Sequence, residues 1–305
     1  MKFSIMSLGL MAVSALAAPM PSQIAPKRDG LTKRAASLED VATTGFATQN
    51  GGTSGGKGGK TIEVSSLSEL ESAVKGEDAA IVLITAPIKG SGENVKIGSN
   101  KSVIGKDSSV VLTDFTLTVK AVKNVILRNF AVEKVVGGDA IAIQKAQNVW
   151  VDHVDLSSDL DHDKDYYDGL LDVTHAADYV TISNSFMHDH WKCSLVGHSD
   201  SNGSEDKGHL TVTYNNNYYE NVSDGINTRQ GAQLLVQNNV WVKAKKALYS
   251  TDGGNAVAEG NDFGDSENTA PKGTLSKAPY EVPELLEAAA VKAAVVGTAG
   301  VTLKF

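Results

Sequence analysis

Aspartates crowd the middle of this 305-residue chain. Gly138-Asp139-Ala-Ile is followed by Trp150-Val-Asp152-His153, by Asp159-Leu-Asp-His-Asp-Lys-Asp165, and by Tyr166-Tyr-Asp168-Gly-Leu-Leu-Asp172. Carboxylate oxygens are hard ligands, and grouped in this way they suit Ca²⁺, which takes roughly six to eight of them. An EF-hand frame starting at Asp161 sets Asp163, Asp165 and Asp172 at ligand positions. It fails because Tyr166 stands where that loop needs its sharp-turn glycine, and no helices flank it. A solvated acidic loop is the other reading of such a run.

The rest of the chain limits what those carboxylates can serve. Residues 1–18 have one Lys, an apolar stretch and small residues at Ala15 and Ala17, the pattern of a secretory signal. A Pro-containing piece then ends at Lys33-Arg34, which reads as a pro-segment over 19–34, with one domain over 35–305. Leaving out residues 1–34 removes five Lys or Arg and one Asp, so 23 basic and 35 acidic residues remain and the net charge is −12. Such a surface argues against nucleic acid as a partner. It would also repel a polyanion, unless a bound cation reverses the field at one place. No later segment is long and apolar enough to span a membrane. With Cys193 the single cysteine, an exported chain must draw its rigidity from something other than internal disulfides. A long ladder of main-chain hydrogen bonds could supply it.

Such a ladder is written in the repeats. Short β-branched runs ending in Asn or His recur at Val103, Val125, Val149, Val180, Leu210, Leu234 and Val257, 22 to 31 residues apart. A fixed coil-length period marks a solenoid. Asn in the same phase suits tight turns, because its side chain tolerates left-handed backbone and can bond the next coil. The framework of leucine-rich repeats is missing, and a β-sandwich would not impose this period. The chain therefore reads as an all-β parallel β-helix, with three short strands per coil over 100–263 and Asn129, Asn184 and Asn261 near turns. Ser68-Glu-Leu-Glu71 has capping-box spacing and opens a short N-terminal capping helix through Val74. A C-terminal helix from Pro283, with acids in its first turn, packs on the coils. Helices at solenoid ends limit end-to-end association, which points to a monomer.

Six segments in order carry a family likeness: Asp139-Ala-Ile, Val149-Trp-Val-Asp-His, Asp168-Gly-Leu-Leu-Asp172, Tyr179-Val-Thr-Ile-Ser, His188-Asp-His-Trp-Lys192 and Gly197-His-Ser-Asp. Together they resemble polysaccharide lyase family 1, the pectate lyases, from about residue 40 to the C-terminus. The resemblance implies a right-handed parallel β-helix, secreted and extracellular, that cleaves polygalacturonate by β-elimination. It implies Ca²⁺ as cofactor, with Asp139, Asp168 and Asp172 as ligands, and Lys192 as a substrate-binding residue. Gly137 stands where some members have a further ligand, while Asp152 and His153 read as structural. A β-helix glycosidase is the competing enzyme class, with paired carboxylates for acid and base work. Its Asn-Thr-Asp and Gly-His-Gly motifs do not occur.

One departure stands out. The family's base is an arginine in an Arg-x-Pro-x-x-Arg segment one coil after the lysine, and no such segment is present. The chain passes from Leu210-Thr-Val-Thr-Tyr directly into Asn215 through Arg229, as if one coil of some two dozen residues were absent. By register Arg229 falls at the family's second, substrate-contacting arginine, and Asp224 at the place of the base. The expectation is a pectate lyase, with a catalytically impaired or pectate-binding member as the alternative.

Overall fold

A computed structural model describes residues 36–275, 278–282, 285–296, 303 and 305. The chain divides between Arg34 and Ala35. The signal and pro-segment expected over 1–34 lie outside the described residues.

The first half contributes β1 (Lys60–Val64), β2 (Ala80–Ile84), β3 (Ile88–Ile97), β4 (Lys101–Gly105), β5 (Val111–Lys120), β6 (Lys123–Glu133), β7 (Ile141–Gln144) and β8 (Gln147–Ser157). The second half contributes β9 (Leu171–Thr174), β10 (Asp178–Ser183), β11 (Phe186–Val196), β12 (Thr211–Asn215), β13 (Tyr218–Thr228), β14 (Gln233–Gln237), β15 (Val240–Ser250) and β16 (Asn255–Glu259). All sixteen belong to one sheet, and the pairs between them are parallel. The result is a parallel β-solenoid of about eight turns.

Register gives the coil length directly. Val212, Leu234 and Ala256 are partners 22 residues apart, and Val125 and Val149 are 24 apart. The step lengthens to 31 and 32 at Val149, Val180 and Val212, where the segments 158–170 and 197–210 bulge from the coils. Apolar residues such as Val125, Leu127, Val149, Val151, Val180 and Ile182 point inward and stack into one continuous core. That stacked ladder takes the place of the missing disulfides, and Cys193 is buried as a free thiol.

The coils differ from the expected three short strands. From β10 to β16 a short strand alternates with a long one of eleven residues that turns a corner without losing its pairing. The corner residue is left-handed: Asn129 (φ 63°), His153 (φ 52°), Asp189 (φ 49°), Asn221 (φ 55°) and Lys243 (φ 54°). Asn and Asp tolerate that conformation best, so the recurrent polar residues mark corners inside strands. Asn129 (φ 63°) and Asn184 (φ 49°) are themselves left-handed, and Asn261 follows the left-handed Gly260 (φ 64°), so all three lie at turns as expected, Asn261 also accepting from the Asn239 N–H.

Both helices are shifted relative to expectation. Helix α1 (Leu67–Ala73) is capped by Ser66, which accepts from the Glu69 N–H, while Glu69 reaches back to the Ser65 N–H. The cap is thus Ser66 with Glu69, two residues before the anticipated frame, and the return bond goes to Ser65. Apart from the four-residue α2 (Gly203–Asp206), the other α-helix among the described residues is α3 (Ala288–Val295), with no acid in its first turn. Its Val291 and Val295 bury against Phe186, Tyr218 and Val240, so it does pack on the coils.

Candidate active site

The three aspartates come from adjacent turns of one sheet face. Asp139 precedes β7, Asp172 lies within β9, and Asp168 ends the bulging segment just before it. Pairing of Ala142 with Asp172 and of Val173 with Val196 fixes these levels. Asp139 Oδ1 accepts the Gly169 N–H at 2.8 Å, and Asp172 Oδ1 accepts the Leu195 N–H at 3.0 Å. A Cβ on Gly169 would sit 2.6 Å from Asp172 Oδ1 and 2.9 Å from Asp139 Oδ1, so both carboxylates close over that glycine. Neither Oδ2 atom has a hydrogen-bond partner among the described residues.

Crowding leaves an electrostatic mark. Burial pushes the Asp139 carboxyl up to about 6, with the Asp168 charge adding to it and the Gly169 N–H opposing it. Burial and then the Asp139 charge push Asp172 well above the ordinary carboxylate range. Two buried carboxylates side by side favour a proton or a metal ion between them. This oxygen set fits Ca²⁺ by chemistry.

Asp168 is differently engaged. Its Oδ1 accepts from the Lys192 ammonium at 2.9 Å, and Lys192 also donates to Asp165 at 3.2 Å. Burial lowers the Lys192 pKa, but bonds and charge from Asp168 and Asp165 outweigh it and raise the value. As the side chains stand, no three His, Cys, Asp or Glu groups among the described residues are gathered closely enough to hold a metal. The lysine occupies the place beside Asp168 that a divalent cation would contest.

Cleft space opens on both sides of the aspartates. Toward the C-terminus, a cleft of about 180 Å³ is lined by Asp168, Asp172, Lys192, Asp224, Asn227 and Tyr249. Toward the N-terminus, about 570 Å³ lies over Lys96, Thr116, Thr118, Lys120, Asp139 and Gln144. Strand register sets Asp224 directly beside Lys192, and Lys246 beside Asp224. Asp224 accepts from the Tyr249 hydroxyl at 3.0 Å and pairs with Lys246 at 3.6 Å. Arg229 follows β13 next to Gly197, and its guanidinium is held by Asp252 and Asp200, the latter at 2.6 Å. It does not line the cleft beside Lys192. Asp152 and His153 are remote from this cleft. Asp152 is buried and bonded to Arg128, His153, Ser183 and Asn184, the structural role expected of it.

Two contributors went unread in the sequence. Gly169 was legible only as part of Asp168-Gly-Leu-Leu-Asp172, though its missing side chain is what lets the carboxylates meet. His190, in the run His188-Asp-His-Trp-Lys192, gave no signal beyond that run.

Known proteins share this arrangement of coils. A family model described as pectate lyase matches residues 14–277. A probable pectate lyase A of Aspergillus flavus is 57% identical over 316 residues, covering 95% of this chain and 98% of its own. Pectate lyase A of Aspergillus niger is 54% identical over 328 residues, covering 100% and 99%. The alignment with a probable pectate lyase A of Aspergillus fumigatus, 56% identical, runs over 331 positions and covers 100% of both chains. The excess of 331 over 305 leaves 26 alignment positions facing no residue here. A crystal structure of a pectate lyase from Bacillus sp. N165 in complex with trigalacturonate shares the fold, with TM-score 0.72, 24% identity, and 86% and 99% coverage. The chain belongs to the pectate lyase family.

Proposed function

We propose that this pectate lyase acts outside the cell on de-esterified polygalacturonate, cleaving it by Ca²⁺-dependent β-elimination. The family match and the full-length relatives carry the activity class. The observation that supports the calcium reading is the pair of buried carboxylates, Asp139 and Asp172, closed over the Gly169 backbone with an outer oxygen each to spare. Asp139, Asp172 and Asp168 would hold the ion. When bound, it would neutralise a uronate carboxylate and acidify the proton on the neighbouring C5.

The chain's own groups do the rest. Lys192, once Asp168 turns to the cation, would have its ammonium free for a uronate carboxylate. Arg229 would contact a further uronate by exchanging Asp200 and Asp252 for it. In the elimination, C5 gives up its proton, the electron pair forms the C4–C5 double bond, and the C4–O bond breaks. The released oxygen takes a proton. The Lys96 and Lys120 ammoniums border the N-terminal part of the cleft and would offset the repulsion between an acidic protein and an acidic polymer.

A second reading, a pectate-binding protein without turnover, draws on one feature. Asp224 occupies the register position next to Lys192 where the family resemblance expects an arginine. The names of the relatives do not favour it. One assay separates the two. Polygalacturonate with Ca²⁺ should give the ultraviolet absorbance of unsaturated uronides, abolished by a chelator and by Asp172→Asn. Absence of that absorbance, with polymer still retained by the protein, would establish binding alone.

A further inference from the structure

His190 lies in β11 and is 1% exposed. Its Nε2 is 2.7 Å from the main-chain oxygen of Asp168. A carbonyl can only accept, so Nε2 bears the hydrogen. In a neutral ring Nδ1 is then an acceptor, and the Ser158 hydroxyl stands 2.5 Å from it as the donor. Ser158 directly follows β8, and Asp168 lies three residues before β9. One buried imidazole therefore joins the two ends of the acidic segment between them.

The neighbours of His190 reinforce this. The Trp191 indole N–H donates to the His162 carbonyl at 2.9 Å, in the middle of the same segment. Lys192 binds Asp165 and Asp168. Three consecutive residues of β11 thus fasten one loop. Of these three residues, only His190 is buried and bonded through its side chain to main chain at the loop's ligand end.

We infer that His190 is a positioning residue which, through Ser158 and the Asp168 carbonyl, fixes the acidic loop so that the Asp168 carboxylate stands beside the Asp139–Asp172 pair. The inference rests on the calcium reading of that pair. Without the imidazole, the Asp168 carbonyl and Ser158 hydroxyl would lose their shared buried partner, and the loop end would be free to settle elsewhere.

Calcium titration of the full chain by calorimetry tests this, alongside melting curves taken without metal. His190→Phe is expected to weaken Ca²⁺ binding by about 10- to 100-fold, as loss of such outer partners commonly does. His190→Gln, which can still donate to the carbonyl, should recover most of the affinity, and Ser158→Ala should weaken it in the same direction. In Asp168→Asn, adding His190→Phe should change affinity little further, because its effect runs through Asp168. Unchanged affinity in His190→Phe, or losses that multiply in the double variant, would overturn the inference while leaving the calcium site standing. Should His190→Phe fail to fold, Ser158→Ala, alone and combined with Asp168→Asn, decides by the same criteria. If the unmodified chain takes up no Ca²⁺, the calcium reading falls and carries this inference with it.

Discussion

The Asp139–Asp172 pair concentrates the chemistry of the molecule into two side chains whose protons are harder to remove than usual. An unfolded Asp titrates near pH 3.9, whereas burial pushes Asp139 up to about 6 in the fold. The folded state therefore binds this proton more tightly than the unfolded state does. Protonation supports the fold in full below about pH 4 and that support is lost as the pH rises through about 6. Without calcium, the melting temperature of the unmodified chain relative to Asp139→Asn should fall steadily between about pH 4 and pH 7. A difference that stays flat across this window would mean the pair is not strained by its own charge. Calcium should be gripped more tightly over the same range, since it competes with the proton for the same oxygens. The choice of these three aspartates comes from the resemblance to the family, since residue type alone leaves a solvated acidic loop as the other reading. Their mutual burial was not legible, because it depends on Gly169 bringing coils together that lie 30 residues apart in sequence at Asp139.

Between residues and fold stands the asparagine ladder. Asn261 Oδ1 accepts from the Asn239 main-chain and side-chain N–H groups at 2.9 and 3.0 Å, and Asn239 Oδ1 does the same for Asn217 at 2.9 Å. Asn217 in turn accepts from the Ser185 N–H at 3.0 Å. Asn239 is fully buried and also donates to the Tyr214 and Gln237 carbonyls. Truncation to Ala would strand several of these main-chain groups, at about 1–3 kcal/mol each. We expect Asn239→Ala to lower the melting temperature by about 5–15 °C, at roughly 2–4 °C per kcal/mol for a domain of this size. Asn261→Ala, at the more exposed last rung, should cost less. Equal and small losses at both would show that the ladder follows the coils without holding them. The period and phase of these asparagines were plain in the sequence, and so was the solenoid. Helix boundaries were less so: Ser66 and Ser68 both precede a Glu by three residues, and only packing of Leu70 into the core selects the first frame. The long strands were also hidden, since a left-handed residue within a run reads as a turn although pairing continues through it.

At the scale of the whole molecule, the coil that the family resemblance expects after Tyr214 bears on how the C5 proton is removed. Each coil contacts its neighbours, so a coil can be lost and the stack close up with its main-chain bonds intact. The pairing of β11 with β13 is continuous over Phe186 to Val196, with no seam where a coil would have stood. Strand register sets Asp224 against Lys192, and the cleft there holds a carboxylate hydrogen-bonded to Tyr249. No arginine lines that cleft. The resemblance to the family places an arginine at this level as the base that removes the C5 proton. Inserting a coil of about two dozen residues with an Arg-x-Pro-x-x-Arg segment after Tyr214 should restack on β12 and move Asp224 one coil away, about 4.8 Å along the axis. Its first arginine would then stand beside Lys192. Since general-base catalysis contributes about 10²–10⁴-fold, kcat on polygalacturonate should rise by a factor in that range, with calcium affinity unchanged because Asp139, Asp168 and Asp172 lie in earlier coils. Circular dichroism and melting curves would verify that the longer stack folds. A correctly folded insertion variant with the same kcat as the present chain would show that groups already in the cleft take the proton, and Asp224→Asn, measured next to it, would reveal whether that group is the Asp224 carboxylate.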